Sequence, residues 1–297
     1  MRSERLRLSG YFLLILLAFL PFRSFSQRSM AFTFDDLPAV SARYTTPAGQ
    51  DTLTKLLLGH LKQYGIRATG FVIGDAHNPL LRQWQDAGME LGNHTYRHTD
   101  FHHVPSAEHL EDIRREHQSL VSAGYKPRYF RSPYLHRGHS VARQDSLKAL
   151  LKELGYREAP TSIDNADYRF SAAYDKALLA GDTAAARRIG TQFVEYLLRC
   201  ITYYDAQGQA LTGRSVSHIL LLHANTLNAH WLGVLLGRLQ ARGVQFISLD
   251  QALTDPVYAS PDTYTGKGGI SWIHRWALTQ GKKGAFFDGE PEVPAGL

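Results

Sequence analysis

Two adjacent carboxylates and a pair of histidines could together bind a catalytic metal ion. Asp35 and Asp36 follow one apolar run, and His94 and His98 follow another. Histidines four residues apart share a face where the chain turns helically, so both could bind one divalent ion. Two histidines with one carboxylate leave coordination positions open, which is typical of a catalytic metal site. The spacing alone leaves His98 and His102 as a competing pair.

Further polar residues follow three later apolar runs. They are Arg131, Asp167 and His223. Taken singly, each has a structural explanation as a surface cation, a turn residue or a core histidine. However, all five polar segments lie at the C-terminal ends of predicted strands, where βα-barrels build their active sites. We therefore predict that they form one site.

The order of elements along the chain predicts how these residues are positioned. Short apolar runs alternate with helical patterns, which predicts an α/β fold of parallel strands with helices outside. Several helical patterns end at a glycine. The predicted strands are residues 30–34, 68–73, 90–94, 129–131, 156–163, 219–223 and 244–249, and the predicted helices are 52–64, 80–87, 106–123, 141–154 and 231–242.

Two segments depart from this alternation. Residues 27–254 are predicted to form one domain, in which residues 172–214 are an insertion with a helical pattern at 184–204 and a turn at Gln207-Gly208. Residues 255–297 are predicted to be a tail packed on the barrel. Trp272 and Trp276 lie four residues apart in it, as on one face of a helix. Core packing is favoured over sugar stacking for this pair.

The N-terminal segment has the order of a secretory signal peptide. Arg2, Arg5 and Arg7 precede an apolar run, and small residues follow near Ser26. That run of about 12 residues is shorter than the roughly 20 needed to cross a bilayer. We therefore predict a signal peptide at residues 1–26, an exported protein in the periplasm, cell envelope or extracellular space, and no stable membrane span after cleavage.

Composition narrows the class of protein further. The chain is 44% hydrophobic and 20% charged, which is typical of a globular domain. Its formal charge of +6 owes much to the predicted signal peptide, and no run of basic residues interleaved with aromatics argues for a nucleic-acid partner. Cys200 is the only cysteine, which excludes an internal disulfide and indicates a core residue.

The five polar segments jointly resemble the motifs of the polysaccharide deacetylases, the NodB-homology or carbohydrate esterase family 4 enzymes. They occur in the family's order at residues 33–36, 94–98, 131–134, 164–168 and 221–223. The resemblance spans about residues 30–250 and implies a distorted (β/α) barrel of about seven strands. It also implies a divalent metal, with zinc expected, held by Asp36, His94 and His98.

The resemblance further implies how the catalytic residues act. Asp35 would be the general base for a metal-activated water, with Arg131 orienting it. His223 would be the general acid for the leaving amine, with its basicity adjusted by Asp167. The remaining roles are a backbone oxyanion donor at Tyr134, an acetyl pocket lined by Leu221 and a sugar-stacking face on Tyr168.

The implied activity is removal of acetyl groups from N-acetylated carbohydrate, such as peptidoglycan, chitin-like chains or poly-N-acetylglucosamine. Leu37, Leu135 and Tyr168 differ from the family's usual residues at places that we interpret as lining the groove, so the polymer stays open. An O-acetyl esterase or a non-sugar amide hydrolase on the same barrel is an alternative. Two others are a catalytically weak carbohydrate-binding protein and an α/β domain with structural histidines.

Overall fold

The fold is built on a seven-stranded parallel sheet. The computed structural model describes residues 28–297, and the predicted signal peptide at residues 1–26 lies outside that part of the chain. The strands are β1 (Ser29–Val40), β2 (Thr69–Val72), β3 (Glu90–Asn93), β4 (Tyr129–Phe130), β5 (Arg157–Glu158), β6 (Ser217–Asn225) and β7 (Gln245–Ile247). Each overlaps a predicted strand.

Strand β1 is the centre of the sheet. β6 pairs along one edge of β1, while β7 and β2 share the other edge. The strand order runs β5-β4-β3-β2-β1-β6, and beyond β5 the chain returns to β6, where Ile163 forms a bridge with Leu220. The sheet thus curves into a distorted barrel, which confirms the predicted α/β class and its seven parallel strands.

Helices surround this sheet and pack their apolar faces against it. The helices are α1 (Pro47–Gln63), α2 (Pro79–Asp86), α3 (Ser106–Ser122), α4 (Val141–Glu153), α5 (Asp167–Leu179), α6 (Thr183–Thr212), α7 (Thr226–Ala241), α8 (Leu249–Ala252) and α9 (Trp272–Thr279), with 3-10 turns at Pro133–Leu135, Pro256–Ala259 and Gly284–Phe287. Gly65 and Gly124 follow α1 and α3 with positive φ angles of 63° and 85°. None of the helices between residues 28 and 297 combines the length and apolar character needed to cross a membrane.

The predicted turn at Gln207-Gly208 is wrong, because α6 continues through it to Thr212. Gly208 instead permits close packing: a Cβ atom there would lie 3.2 Å from Val216 and 3.5 Å from Ile273. The helix ends at Gly213, which has a φ of 74°. A glycine inside a helical pattern thus reflects a tertiary contact here rather than a break.

Two helices, α7 and α1, start earlier than the apolar pattern predicts. α7 begins at Thr226 rather than near residue 231, because the side chain of Asn225 accepts a hydrogen bond from the Asn228 amide over 2.9 Å. α1 begins at Pro47, where Thr46 caps it in the same way. The caps therefore mark these two starts better than the apolar pattern does.

The C-terminal residues pack against the helical side of the molecule. α9 contacts α6, and both Trp272 and Trp276 are buried. Trp276 lies edge-on to Tyr258 with ring centroids 5.4 Å apart. The pair therefore serves core packing, as favoured above, and Cys200 is buried as predicted.

Candidate active site

A groove of about 1160 Å³ opens at the C-terminal ends of the strands. It brings together the predicted residues from all five motifs. Arg131 and Asp167 lie behind its wall as buried side chains. The other predicted residues line it: Asp35, Asp36, His94, His98, Tyr134, Tyr168, Leu221 and His223.

Both carboxylates of the first motif reach this groove because β1 is irregular there. In a regular strand, successive side chains point to opposite faces. The pairing of β1 shifts register between Phe34 and Leu37, and Asp36 has a φ of 61°. This left-handed residue turns Asp36 towards the same side as Asp35.

Asp36, His94 and His98 form a cluster suited to a divalent cation. The Asp36 Oδ1 atom lies 3.6 Å from His94 Nε2 and 3.3 Å from His98 Nε2. This oxygen is buried and has no hydrogen-bond partner among the described residues. His94 Nδ1 donates to the Arg131 carbonyl over 2.8 Å, which leaves the Nε2 lone pair facing Asp36. Two nitrogens and one orphaned carboxylate oxygen fit such an ion.

The chain between the two histidines is not helical, so the predicted reason for their proximity is wrong. Thr95 and His98 have positive φ angles of 67° and 54°, and the Asn93 side chain accepts from the Thr95 amide over 2.9 Å. Two left-handed residues therefore fold the loop so that the imidazole rings of His94 and His98 lie 5.0 Å apart at 63°.

His102, the alternative partner of His98 in the sequence, belongs to a separate cluster with Asp100 and His136. Its ring is stacked on that of His136, with centroids 3.9 Å apart and planes 7° apart. Because imidazole lone pairs lie in the ring plane, stacked rings do not aim at one ion. His102 Nδ1 also faces the Lys267 carbonyl at 3.2 Å.

Asp35 is held by a buried arginine. Arg131 Nη1 donates to Asp35 Oδ1 over 2.8 Å and to Thr33 Oγ1 over 2.7 Å. Burial alone would raise the pKa of Asp35, but the charge and hydrogen bond of Arg131, together with the charge of His223, lower that pKa below its ordinary value overall. Asp35 is therefore an ionised carboxylate at neutral pH.

His223, which lies beside Asp35 on the neighbouring strand, is paired with Asp167. Its Nδ1 atom donates to Asp167 Oδ1 over 2.7 Å, which leaves Nε2 free. Burial alone would lower the pKa of His223, but the Asp167 charge and hydrogen bond, with smaller effects of Asp36 and Asp35, raise this pKa to about 10. His223 is therefore a proton donor at neutral pH.

Two asparagines that lie outside the five motifs donate hydrogen bonds to Asp167. Asn228 Nδ2 donates to Asp167 Oδ2 over 2.7 Å, and Asn225 Nδ2 does so over 3.1 Å. The His223 amide donates to the same oxygen over 2.8 Å. Asn225 could have been found from the sequence as the cap of α7, because asparagine is a preferred cap residue.

The predicted substrate contacts lie around the rim and floor of the groove. Tyr134 and Tyr168 are 55% and 59% exposed, which leaves their ring faces accessible. Leu221 and Leu135 line the floor as buried side chains. Leu37 does not line the groove, so that interpretation is wrong. It is fully buried, and its side chain fills the space where a Cβ atom on Gly70 would lie.

Residues from the C-terminal tail also reach the groove, and the sequence holds no motif that would reveal them. Glu290 lines it and accepts a hydrogen bond from Tyr204 over 2.6 Å, and Gly269 lies against Tyr134. Asp164 lies nearby, and burial, together with the charge of Glu290, raises its pKa to about 7. These contacts join residues distant in the chain, so local patterns cannot predict them.

The family comparison agrees with the motifs. Residues 23–159 match the family model described as polysaccharide deacetylase, which confirms the resemblance. This match contains the first three motifs. The fourth and fifth lie beyond it, so their assignment rests on the motif pattern and on the groove.

Individual known proteins are similar to parts of the chain. A chitin deacetylase from Colletotrichum lindemuthianum is 32% identical over 148 residues, which are 47% of this chain and 52% of that protein. A peptidoglycan-N-acetylglucosamine deacetylase from Bacillus cereus is 29% identical over 114 residues, covering 37% of this chain and 38% of that one. The similarity thus spans about half the length of the first relative and less of the second.

A solved structure shares the fold over most of the described chain. A carbohydrate esterase family 4 pseudoenzyme from Bacillus anthracis superposes with a TM-score of 0.53 at 16% identity. The superposition covers 77% of this chain and 66% of that one. At this identity the likeness concerns the fold, which is the predicted NodB-like barrel.

Proposed function

We propose that this chain, whose residues 23–159 match the polysaccharide deacetylase family, is a metal-dependent hydrolase that removes acetyl groups from N-acetylated carbohydrate. One observation carries the proposal. The Asp36–His94–His98 cluster lines the same groove as a carboxylate paired with Arg131 and a histidine paired with Asp167. A metal site flanked by a base and an acid is what amide hydrolysis needs.

Asp36, His94 and His98 would hold the cation, with zinc expected from the two nitrogen ligands. A bound divalent cation lowers the pKa of water and polarises a carbonyl oxygen. Asp35 would accept the proton of the attacking water through the carboxylate oxygen that Arg131 leaves free. That atom, Oδ2, lies 3.7 Å from His94 Nε2, so it faces the cluster.

His223 would donate a proton to the amine as it leaves. An amine anion is a poor leaving group, so amide hydrolysis requires an acid at this step. Asp167 supports this role, because it binds Nδ1–H and thereby fixes the proton to be transferred on Nε2. The opposite shifts in the pKa of Asp35 and His223 assign the base and the acid to different residues.

Substrate contacts would come from the floor and rim of the groove. The Tyr134 backbone N–H would donate to the oxyanion that forms on the acetyl carbon. Leu221 would contact the acetyl methyl, and the exposed ring of Tyr168 would stack on a sugar. The names of the relatives favour chitin-like or peptidoglycan N-acetylglucosamine, and both polymers lie outside the cytoplasm, in keeping with the predicted export.

Acetate release from defined substrates tests this function. N-acetylglucosamine oligomers and purified peptidoglycan are incubated side by side with zinc-supplemented protein, and acetylated xylan and a cyclic amide serve as comparison substrates. We expect acetate from at least one N-acetylated sugar. Acetate from xylan alone would favour an O-acetyl esterase, and cyclic amide hydrolysis alone would favour a non-sugar amide hydrolase. Sugar binding without turnover would favour a carbohydrate-binding protein, and all three results would contradict the proposal.

A further inference from the structure

A glycine of the C-terminal tail lies directly against the backbone of the third motif. A Cβ atom on residue 269 would lie 1.8 Å from the carbonyl oxygen of Tyr134 and 3.2 Å from Cδ2 of His136. The first distance is far below van der Waals contact, so no side chain fits while the two backbones keep this separation. Gly269 is not among the positive-φ glycines of the described residues, so close approach, not backbone conformation, requires glycine here.

The backbone that Gly269 contacts has an unusual conformation. Tyr134 and the following Leu135 both have positive φ angles, of 57° and 56°. Residues with side chains rarely adopt this region, and they persist in it only where the surroundings hold them. Within the loop, the Leu135 amide donates to the Ser132 carbonyl over 3.1 Å. Gly269 contacts the Tyr134 carbonyl, which belongs to the same peptide as this Leu135 amide.

A buried charge cluster anchors the tail segment, residues 262–270, that carries Gly269. Asp262 accepts from Arg137 Nη1 and from Arg275 Nε, each over 2.9 Å. Both arginines are buried. Since Arg137 follows the third motif and Arg275 lies in α9, Asp262 ties the tail to the loop of Tyr134.

Two further contacts hold the middle of the 262–270 segment. Gln144 in α4 donates to the Tyr264 carbonyl over 2.7 Å and to the Gly138 carbonyl over 3.1 Å. His102 contacts the Lys267 carbonyl over 3.2 Å and stacks on His136. The segment is thus fixed at three points, Asp262, Tyr264 and Lys267, that precede Gly269.

We propose that Gly269 is a positioning residue for Tyr134, because it lets the 262–270 segment close on the Tyr134 carbonyl and so fix the backbone angles that aim the N–H of the same residue towards the reacting carbonyl. This inference rests on the proposed function, in which that N–H is the oxyanion donor. It gives the tail, which lies outside the residues matched by the family model, an indirect part in the reaction through Tyr134. In this role Gly269 acts through the Tyr134 backbone.

The substitution Gly269→Ala tests the inference. The added methyl must push the two backbones apart by more than 1 Å, because carbon and oxygen atoms pack at about 3.2–3.5 Å. An oxyanion donor acts on the transition state more than on bound substrate, so kcat should fall and KM should change little. We expect kcat for an N-acetylglucosamine oligomer to fall at least about tenfold, with KM within about threefold and zinc affinity unchanged.

Gly268→Ala is the matched control in the same segment. A Cβ atom there would lie 3.3 Å from the Ile270 side chain and 3.4 Å from the Tyr264 hydroxyl, which small shifts accommodate. We expect this variant to keep kcat within about twofold of wild type. Equal kcat values for the two alanine variants would overturn the inference.

A second readout separates positioning from general damage. A phosphonamidate analogue of the N-acetylglucosamine oligomer has the tetrahedral oxyanion, whereas the glucosamine product lacks it. Gly269→Ala should weaken inhibition by the analogue in proportion to its loss of kcat/KM, and leave product inhibition unchanged. Equal weakening of both inhibitors would contradict the inference.

A third variant covers the case in which Gly269→Ala does not fold. Gln144→Met keeps similar bulk but removes the hydrogen bond to Tyr264 of the segment and the one to Gly138, so kcat should fall at least about threefold with KM unchanged. Wild-type kcat in Gln144→Met would then overturn the inference. Absence of acetate release by the wild-type protein would instead contradict the proposed function, and the inference with it.

Discussion

The guanidinium of Arg131 donates to the carboxylate of Asp35 over 2.8 Å, and both side chains are buried. A buried charge without a partner is strongly destabilising, so each residue depends on the other to remain charged. In the proposed reaction, Asp35 would therefore stay ionised close to the proposed cation site, where it would accept a proton.

Replacement of Asp35 by asparagine tests its role as the base. Asparagine keeps the shape and one oxygen acceptor but cannot take a proton at neutral pH. We expect Asp35→Asn to lower kcat by about 10²–10⁴-fold while zinc still binds, because general-base catalysis contributes that much. Acetate release gives kcat, and metal analysis of the same preparation gives the zinc content. A fully active Asp35→Asn protein would contradict the proposed mechanism.

His98→Ala should abolish tight zinc binding, because only two of the three clustered ligand atoms remain. Isothermal titration with zinc measures the loss directly. His102→Ala is the matched control, since His102 has the same spacing from His98 but stacks on His136 outside the cluster. Unchanged zinc affinity in His98→Ala, or its loss in His102→Ala, would contradict the ligand assignment.

Asp167→Asn should change the pH dependence of the reaction. The proposed acid must be protonated, and the raised pKa of His223 keeps it so until the pH rises through that value. Removal of the Asp167 charge lowers the pKa of His223, so the alkaline fall in kcat should move at least about one unit to lower pH. A kcat profile measured from pH 5 to 10 checks this, and an unmoved alkaline limb would exclude His223 as the acid.

A buried acid away from the groove affects stability. Glu116 in α3 is fully buried, and neither carboxyl oxygen has a hydrogen-bond partner among the described residues. Burial, together with the charge of Asp112, raises the pKa of Glu116 to about 10. The folded protein therefore holds a proton that the unfolded chain releases above its ordinary pKa of 4.5, so stability is lost as the pH rises between these values.

Glu116→Gln should remove this loss of stability with rising pH, because glutamine has no proton to release. We expect its unfolding free energy to exceed that of wild type by about 1–3 kcal/mol at pH 8, with a smaller gain at pH 5. Thermal unfolding at both pH values measures the difference, and Glu111→Gln on the exposed side of α3 is the control. A destabilised Glu116→Gln protein at pH 8 would show that the carboxylate is compensated in the fold.

The sequence predicts the strands well because apolar runs and alternation are local signals. It also predicts that polar residues at strand ends meet, since the C-terminal ends of parallel strands share one edge. The detailed geometry follows from backbone angles that no pattern reveals. Asp36, Thr95 and His98 all have positive φ. These backbone turns bring the side chains of the proposed metal cluster together without a helix.

Other parts of the site depend on contacts between distant residues. Asn228 reaches Asp167 from the first turn of α7, and Gly269 reaches Tyr134 from the tail. Neither has a local signal, because an asparagine or a glycine in a polar stretch usually indicates a cap or a turn. The predicted turn at Gly208 is wrong for the same reason. Glycine is needed there for close packing against residues distant in the chain, and a local pattern does not show such a contact.

The most direct test of the central claim is acetate release from an N-acetylglucosamine tetramer by one preparation assayed as isolated, after chelator treatment and after zinc reloading. We expect activity to disappear with the metal and to return as zinc reaches about one ion per chain. An unchanged rate in protein free of divalent metal would contradict the account, because the Asp36–His94–His98 cluster would then have no part in the reaction.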